Sequence, residues 1–283
     1  MDVEDREKQN RPSVSRNGLQ TLCEALGLDG QLSGSAARSD SVLVAIDFEN
    51  TGNIRDGFLS STDSQVGLAV LDARDLGRDI KPGRVIATRN FVTGSPSYIK
   101  RASARFSFGK SIAIKTAAML KRIKSVIPRD RHVILVGHSV RNELEMLRIL
   151  GYDFVSSSMT VIDTVRVANE VFGFWGGSLG ELLVRLGCPF SHLHSGGNDA
   201  SFTLRASLLL ACKKCEGIID QATVNTLEQI AIGSIPYRLD PEVKAARKKE
   251  KKQAKRRRSV EEQDQIRAER AARRAELGQS QLF

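Results

Sequence analysis

Apolar residues in this chain follow two rhythms, and the alternation between them outlines a fold. "SVLVAIDFEN" (41–50) is short, β-branched and apolar almost throughout, the pattern of a central strand covered on both faces. "QVGLAVLDA" (65–73) and "RVIATRNFV" (84–92) follow at hairpin-like spacing, and "HVILVG" (132–137) and "MTVID" (159–163) make five predicted strands. Over 110–127, Ile112, Met119, Ile123 and Val126 share one helical face, and Pro128 stops the helix. Helices are also predicted over 141–150, 164–173 and 178–187, the last opening on a Ser178/Glu181 capping box and closing on Gly187. A final, very apolar helix follows "HSGGND" (194–199). The order implies an α/β fold: a mixed five-stranded sheet with helices on both sides, strand 41–50 central and strand 65–73 antiparallel to it.

This pattern occupies residues 41–215. Before it, residues 1–40 are polar and rich in Ser, Arg and Gly, a mobile leader with helical spacing only at "LQTLCEALGL" (19–28). After it come a connecting segment, 216–240, and a charged tail, 241–283. The net charge of +10 is unevenly placed: the tail carries +7, and "KAARKKEKKQAKRRR" (244–258) holds ten basic residues and one acid. Such a run stays solvated; it fits a nuclear-import signal or a phosphate-binding arm, so the expected location is nuclear or cytoplasmic. With no apolar run of eighteen residues and no charged-then-apolar leader, a soluble, unsecreted chain without membrane contact is expected. The four cysteines form no disulfide framework, and the Cys212-x-x-Cys215 pair lacks partners for a zinc site.

Chemistry enters with the titratable residues. Asp47 and Glu49 lie two apart on a strand and leave the same face; neighbouring carboxylates there repel each other and suit Mg²⁺ or Mn²⁺. In "GHSVRNELEML" (137–147), Glu143 falls on the first turns of a helix after a buried strand, with His138 in the turn between them. In "HSGGNDA" (194–200), His194 stands five residues before Asp199, which opens the last helix. Taken singly, each has an ordinary structural explanation: a capped turn, a surface helix, a satisfied histidine.

In order and together, these three segments resemble the DEDDh exonucleases, 3′→5′ nucleases on an RNase H-like fold. "DFENTG" (47–52) is similar to the family's D-x-E-x-T-G motif at Asp47, Glu49, Thr51 and Gly52. "GHSVRNELEML" resembles the second motif and "HSGGNDA" the third, H-x4-D. The wording of the third motif is closest to a fungal branch linked to RNA silencing or messenger-RNA factors, proteins of which kinds would be candidate partners. The resemblance implies that Asp47, Glu49, Glu143 and Asp199 hold two divalent ions, Mg²⁺ or Mn²⁺, and that His194 is the general base. It also implies that Thr51, Gly52 and His138 meet the substrate, a single-stranded 3′ end with RNA favoured over DNA. His138 is further expected to shape its turn.

One position departs from the pattern. The second motif normally supplies an aspartate, and this chain has Glu143 at the matching spacing. Misplacement of a ligand by about 1 Å can cost on the order of 100-fold in rate. The competing expectation is therefore a catalytically impaired module that binds RNA or a protein partner.

Overall fold

The computed structural model describes residues 12–28, 40–77, 82–154, 159–173 and 177–236. The basic tail and most of the leader lie outside the described residues. The sheet is built from β1 (Ser41–Glu49), β2 (Ser64–Asp72), β3 (Ala87–Thr93), β4 (Ile112–Ala113), β5 (His132–Gly137) and β6 (Met159–Asp163), in the order β4-β3-β2-β1-β5-β6. β1 runs antiparallel to β2 and parallel to β5, so its carboxyl end shares an edge of the sheet with the carboxyl ends of β5 and β6.

All five predicted strands are present, with boundaries within a few residues, and β4 adds a sixth. Helices α1 (Gly18–Leu26), α2 (Thr51–Arg55), α3 (Pro82–Val85), α4 (Pro96–Arg105) and α5 (Met119–Lys124) precede β5. α6 (Arg141–Ile149), α7 (Thr164–Phe172), α8 (Leu179–Arg185), α9 (Gly196–Lys214) and α10 (Gln221–Glu228) follow it. Alternation along β1 splits the core. Leu43 and Ala45 face one cluster with α1, α7, α8 and α9, while Val42, Val44, Ile46 and Phe48 face another with α5 and α6. Every residue of α9 from Gly196 to Cys212 is buried, which explains why its apolar residues are not confined to one stripe; Ser201, Thr203, Arg205 and Ser207 are buried among them.

Two expectations need correction. The helix expected over 110–127 is interrupted: Ile112 and Ala113 pair with Phe91 and Val92, a 3₁₀ turn spans Thr116–Ala118, and the α-helix begins only at Met119. Ile112 and Met119 stand seven apart, which helical spacing allows but does not require, and the edge of β3 supplied a competing partner. The start of the strand expected over 84–92 winds into α3, leaving β3 to begin at Ala87. α4 was not anticipated, because its composition is too polar to show a strong apolar stripe. Its local signal is nonetheless present: Ser95 caps it, accepting from the Tyr98 amide, and Pro96 occupies the first turn.

Candidate active site

Asp47 and Glu49 close β1 and project on the same side of the sheet as Leu43 and Ala45, toward α9. That helix can come close only because three glycines clear its path. Gly67 pairs with Asp47 across the β1–β2 ladder, and a Cβ there would sit 1.9 Å from the Gly196 carbonyl oxygen. A Cβ at Gly197 would stand 2.6 Å from the Phe106 ring, while the Gly197 amide donates to Asn90 Oδ1 at 3.1 Å. Gly196 and Gly197 form the first turn of α9, laid against strand backbone, and that contact sets Asp199 beside Asp47.

The chain ahead of α9 is equally constrained. His192 and His194 adopt left-handed φ of 56° and 60°. Asp199 Oδ2 accepts from the His194 amide at 2.9 Å, and Asn198 Nδ2 donates to the carbonyls of His192 and Arg105. The His194 ring itself stays 87% exposed, with Nδ1 4.0 Å from Glu49 Oε1. Ligand atoms of Glu49, His194 and Asp199 lie within 4.8 Å of one another.

Glu143 reaches the same edge from the other side. Asp163, the last residue of β6, accepts from the amides of Ser139 (3.0 Å), Val140 (3.3 Å) and Val165 (3.0 Å). One carboxylate thereby caps α7 and pins the turn that leads into α6. Glu143, in the first turn of α6, is 6% exposed. Glu145 turns away and pairs with Arg55 at 3.3 Å on the surface. His138 lies behind the turn: its Nδ1 meets the Thr164 hydroxyl at 2.8 Å and its Nε2 donates to the Gly177 carbonyl at 3.2 Å. Burial keeps it below the usual histidine range, so both ring nitrogens serve the fold. Thr51 and Gly52 open α2 after the left-handed cap residue Asn50, at the rim of the cleft.

The electrostatics are those of an uncompensated acidic centre. Burial, then Asp199, Glu143 and Glu49, hold Asp47 well above the usual carboxylate range. Burial pushes Glu143 and Asp199 up to about 7. Glu49 is raised by burial and drawn back by His194 and Arg105. Asp47 Oδ2, Glu143 Oε2 and Asp199 Oδ1 are buried with no hydrogen-bond partner. Three orphaned carboxylate oxygens in one acidic cleft are costly without a cation, and hard divalent ions take such oxygen ligands. The residues present fit a metal centre. Those that sequence reasoning missed act behind them: Gly67, Asn90, Asp163 and Arg105.

Fold and cleft define a nuclease-like domain of the RNase H-like class. Residues 42–210 match the family described as DNA polymerase III subunit epsilon-like, C-terminal domain, and the chain belongs to this DEDDh exonuclease family, whose members typically use divalent metals. The chain is also 28% identical over 117 residues to an uncharacterized nucleolar protein of Schizosaccharomyces pombe, covering 38% of this chain and 47% of that protein. It is 22% identical over 179 residues to an uncharacterized protein of Saccharomyces cerevisiae, covering 52% and 37%. The match thus covers less than half the length of either relative.

Proposed function

We propose that this chain is a metal-dependent 3′→5′ exonuclease on single-stranded nucleic acid, with RNA preferred, and that Asp47, Glu49, Glu143 and Asp199 hold its two divalent ions. One observation carries this reading: the buried, unpartnered oxygens of Asp47, Glu143 and Asp199 converge beside Glu49 and an exposed histidine. Mg²⁺ or Mn²⁺, when bound, acidifies water and offsets charge at phosphorus and at the leaving oxygen. His194 takes the proton from the attacking water as the new P–O bond forms and the bond to the 3′ oxygen breaks. The leaving 3′ oxygen takes a proton from solvent, and a nucleoside 5′-monophosphate departs. Exposure lets the imidazole reach incoming substrate, with its Nδ1 4.0 Å from Glu49 Oε1.

A nuclear location fits the nucleolar relative and the basic run 244–258, and the partner class carried by the family resemblance is an RNA-silencing or messenger-RNA factor. A second reading, an impaired nuclease-like binding module, is favoured by Glu143 standing where the family has aspartate. Incubation of the purified protein with 5′-labelled single-stranded RNA and DNA, in Mg²⁺, Mn²⁺ or EDTA, separates the two. Stepwise shortening in metal and none in EDTA is expected; an intact substrate in every condition overturns the enzyme.

A further inference from the structure

An anionic strand must approach a cleft built from four carboxylates, so something near the cleft has to attract phosphate. α4 is placed for this. Near its start, the Tyr98 hydroxyl accepts from Asn50 Nδ2 (3.1 Å) and Gln65 Nε2 (3.2 Å), tying the helix to the end of β1. At its far end, Arg105 Nη2 donates to the Leu193 carbonyl at 2.5 Å, and Asn198 Nδ2 donates to the Arg105 carbonyl at 3.0 Å. The helix therefore bridges the first and third motifs along the rim of the cleft.

Tyr98, Arg101 and Arg105 are spaced three and four apart, so they share one face. Arg101 and Arg105 are both exposed. The Arg105 charge is already felt at Glu49 and at Asp199. A guanidinium carries five N–H donors in a fork that matches phosphate, and the bond to Leu193 uses only part of that capacity. Once divalent cations neutralise the carboxylates, the charge on this face is left to act on an incoming anion.

We propose that the α4 face bearing Arg101 and Arg105 is a phosphate-binding subsite for the strand, beside the metal-binding carboxylates, with Arg105 as its principal contact. The subsite rests on the nuclease reading for its substrate, not for its chemistry: it binds the sugar–phosphate backbone whether or not the bond is cut.

The test is binding of a fluorescein-labelled single-stranded 12-mer to the full chain in Ca²⁺, which neutralises the carboxylates, at several salt concentrations, with cleavage in Mn²⁺ measured in parallel. Arg105→Ala should raise Kd about tenfold and flatten the plot of log K against log salt by about 0.7, the share of one single-strand phosphate contact. Arg105→Lys keeps the charge but not the fork, and should retain that slope. Arg101→Ala, at an exposed position, should lower affinity and slope less than Arg105→Ala. An unchanged slope and Kd in Arg105→Ala, with melting temperature unchanged, overturns the subsite. So does equal loss of kcat in Arg105→Ala and Arg105→Lys at constant Kd, since that marks a residue that only positions the loop through Leu193. Slope-dependent binding without any cleavage overturns the nuclease reading alone, and cleavage with an unaltered slope overturns the subsite alone.

Discussion

Gly67 and Gly196 meet backbone to backbone, so closely that a methyl group on residue 67 would occupy the space of the Gly196 carbonyl. Gly67→Ala should force α9 off the sheet and carry Asp199 away from Asp47. A stability loss of about 1–3 kcal/mol is expected, together with a fall in kcat on the order of 100-fold. Gly83→Ala, in α3, is the control, because a Cβ there meets nothing within 4 Å. Denaturant midpoints and turnover of the two variants check this; equal behaviour would refute the close-approach argument.

Glu143→Asp restores the shorter arm of the family motif and should keep or raise activity, with a shift in preference between Mg²⁺ and Mn²⁺, because Mg²⁺ tolerates little departure from octahedral geometry. Glu143→Ala should abolish metal-dependent cleavage. Glu145→Ala, at a surface pair with Arg55, should change activity by less than twofold. Initial rates across metal concentrations decide the matter. Activity confined to Glu143→Asp would establish a retired nuclease.

His194→Ala should lower kcat by about 10²–10⁴ while leaving Mn²⁺ affinity within a few fold, since it removes a base and not a ligand. Calorimetric metal titration beside turnover separates the two effects. A large loss of metal affinity would make the imidazole a ligand, as its place among Glu49 and Asp199 also allows.

The metal-free protein should lose stability as pH rises. Glu143 and Asp199 titrate near 7 when folded, against about 4 for unfolded carboxylates. Between those values the folded state binds more protons, so raising pH favours unfolding, and above about pH 7 the full penalty applies. A fall in melting temperature on the order of 5 °C from pH 5 to pH 8 is expected in EDTA. Asp199→Asn should flatten that slope, and Mn²⁺ should stabilise wild type more at pH 8 than at pH 6. A flat EDTA profile in wild type would contradict the buried-carboxylate picture.

Much of this was legible in the chain. Continuous apolar runs mark β1 and β5 because both faces of each are covered, and Asp47, Glu49, Glu143, His194 and Asp199 are brought to one edge as the motif order implied. What escaped was the support, which depends on contacts across long separations. Gly67 matters only because residue 196 lies over it, and Asn90 only because it takes the Gly197 amide 107 positions later. Asp163 was readable as a helix cap in "IDTV", but its second grip, on the amides of Ser139 and Val140, leaves no local trace. The lost half-helix before Met119 shows the same limit, since a neighbouring strand edge outweighed local periodicity.

The buried guanidinium of Arg205 has a practical consequence. It lies midway along α9, 2% exposed, over the Phe108 ring, and donates to the carbonyls of Ile230 and Ala231 and to the Ser234 hydroxyl. These acceptors belong to the π-helical turn Gln229–Gly233 and its cap, some twenty residues past the end of the family match at residue 210. A chain trimmed to that match would strip Arg205 of its main acceptors and uncover the apolar core that Leu227, Ile230 and Ala231 close, a defect that typically costs several kcal/mol. The shortest piece that can be produced as an intact domain therefore runs through Ser234. A clone ending near residue 215 should be recovered as aggregate, whatever the quality of its active site.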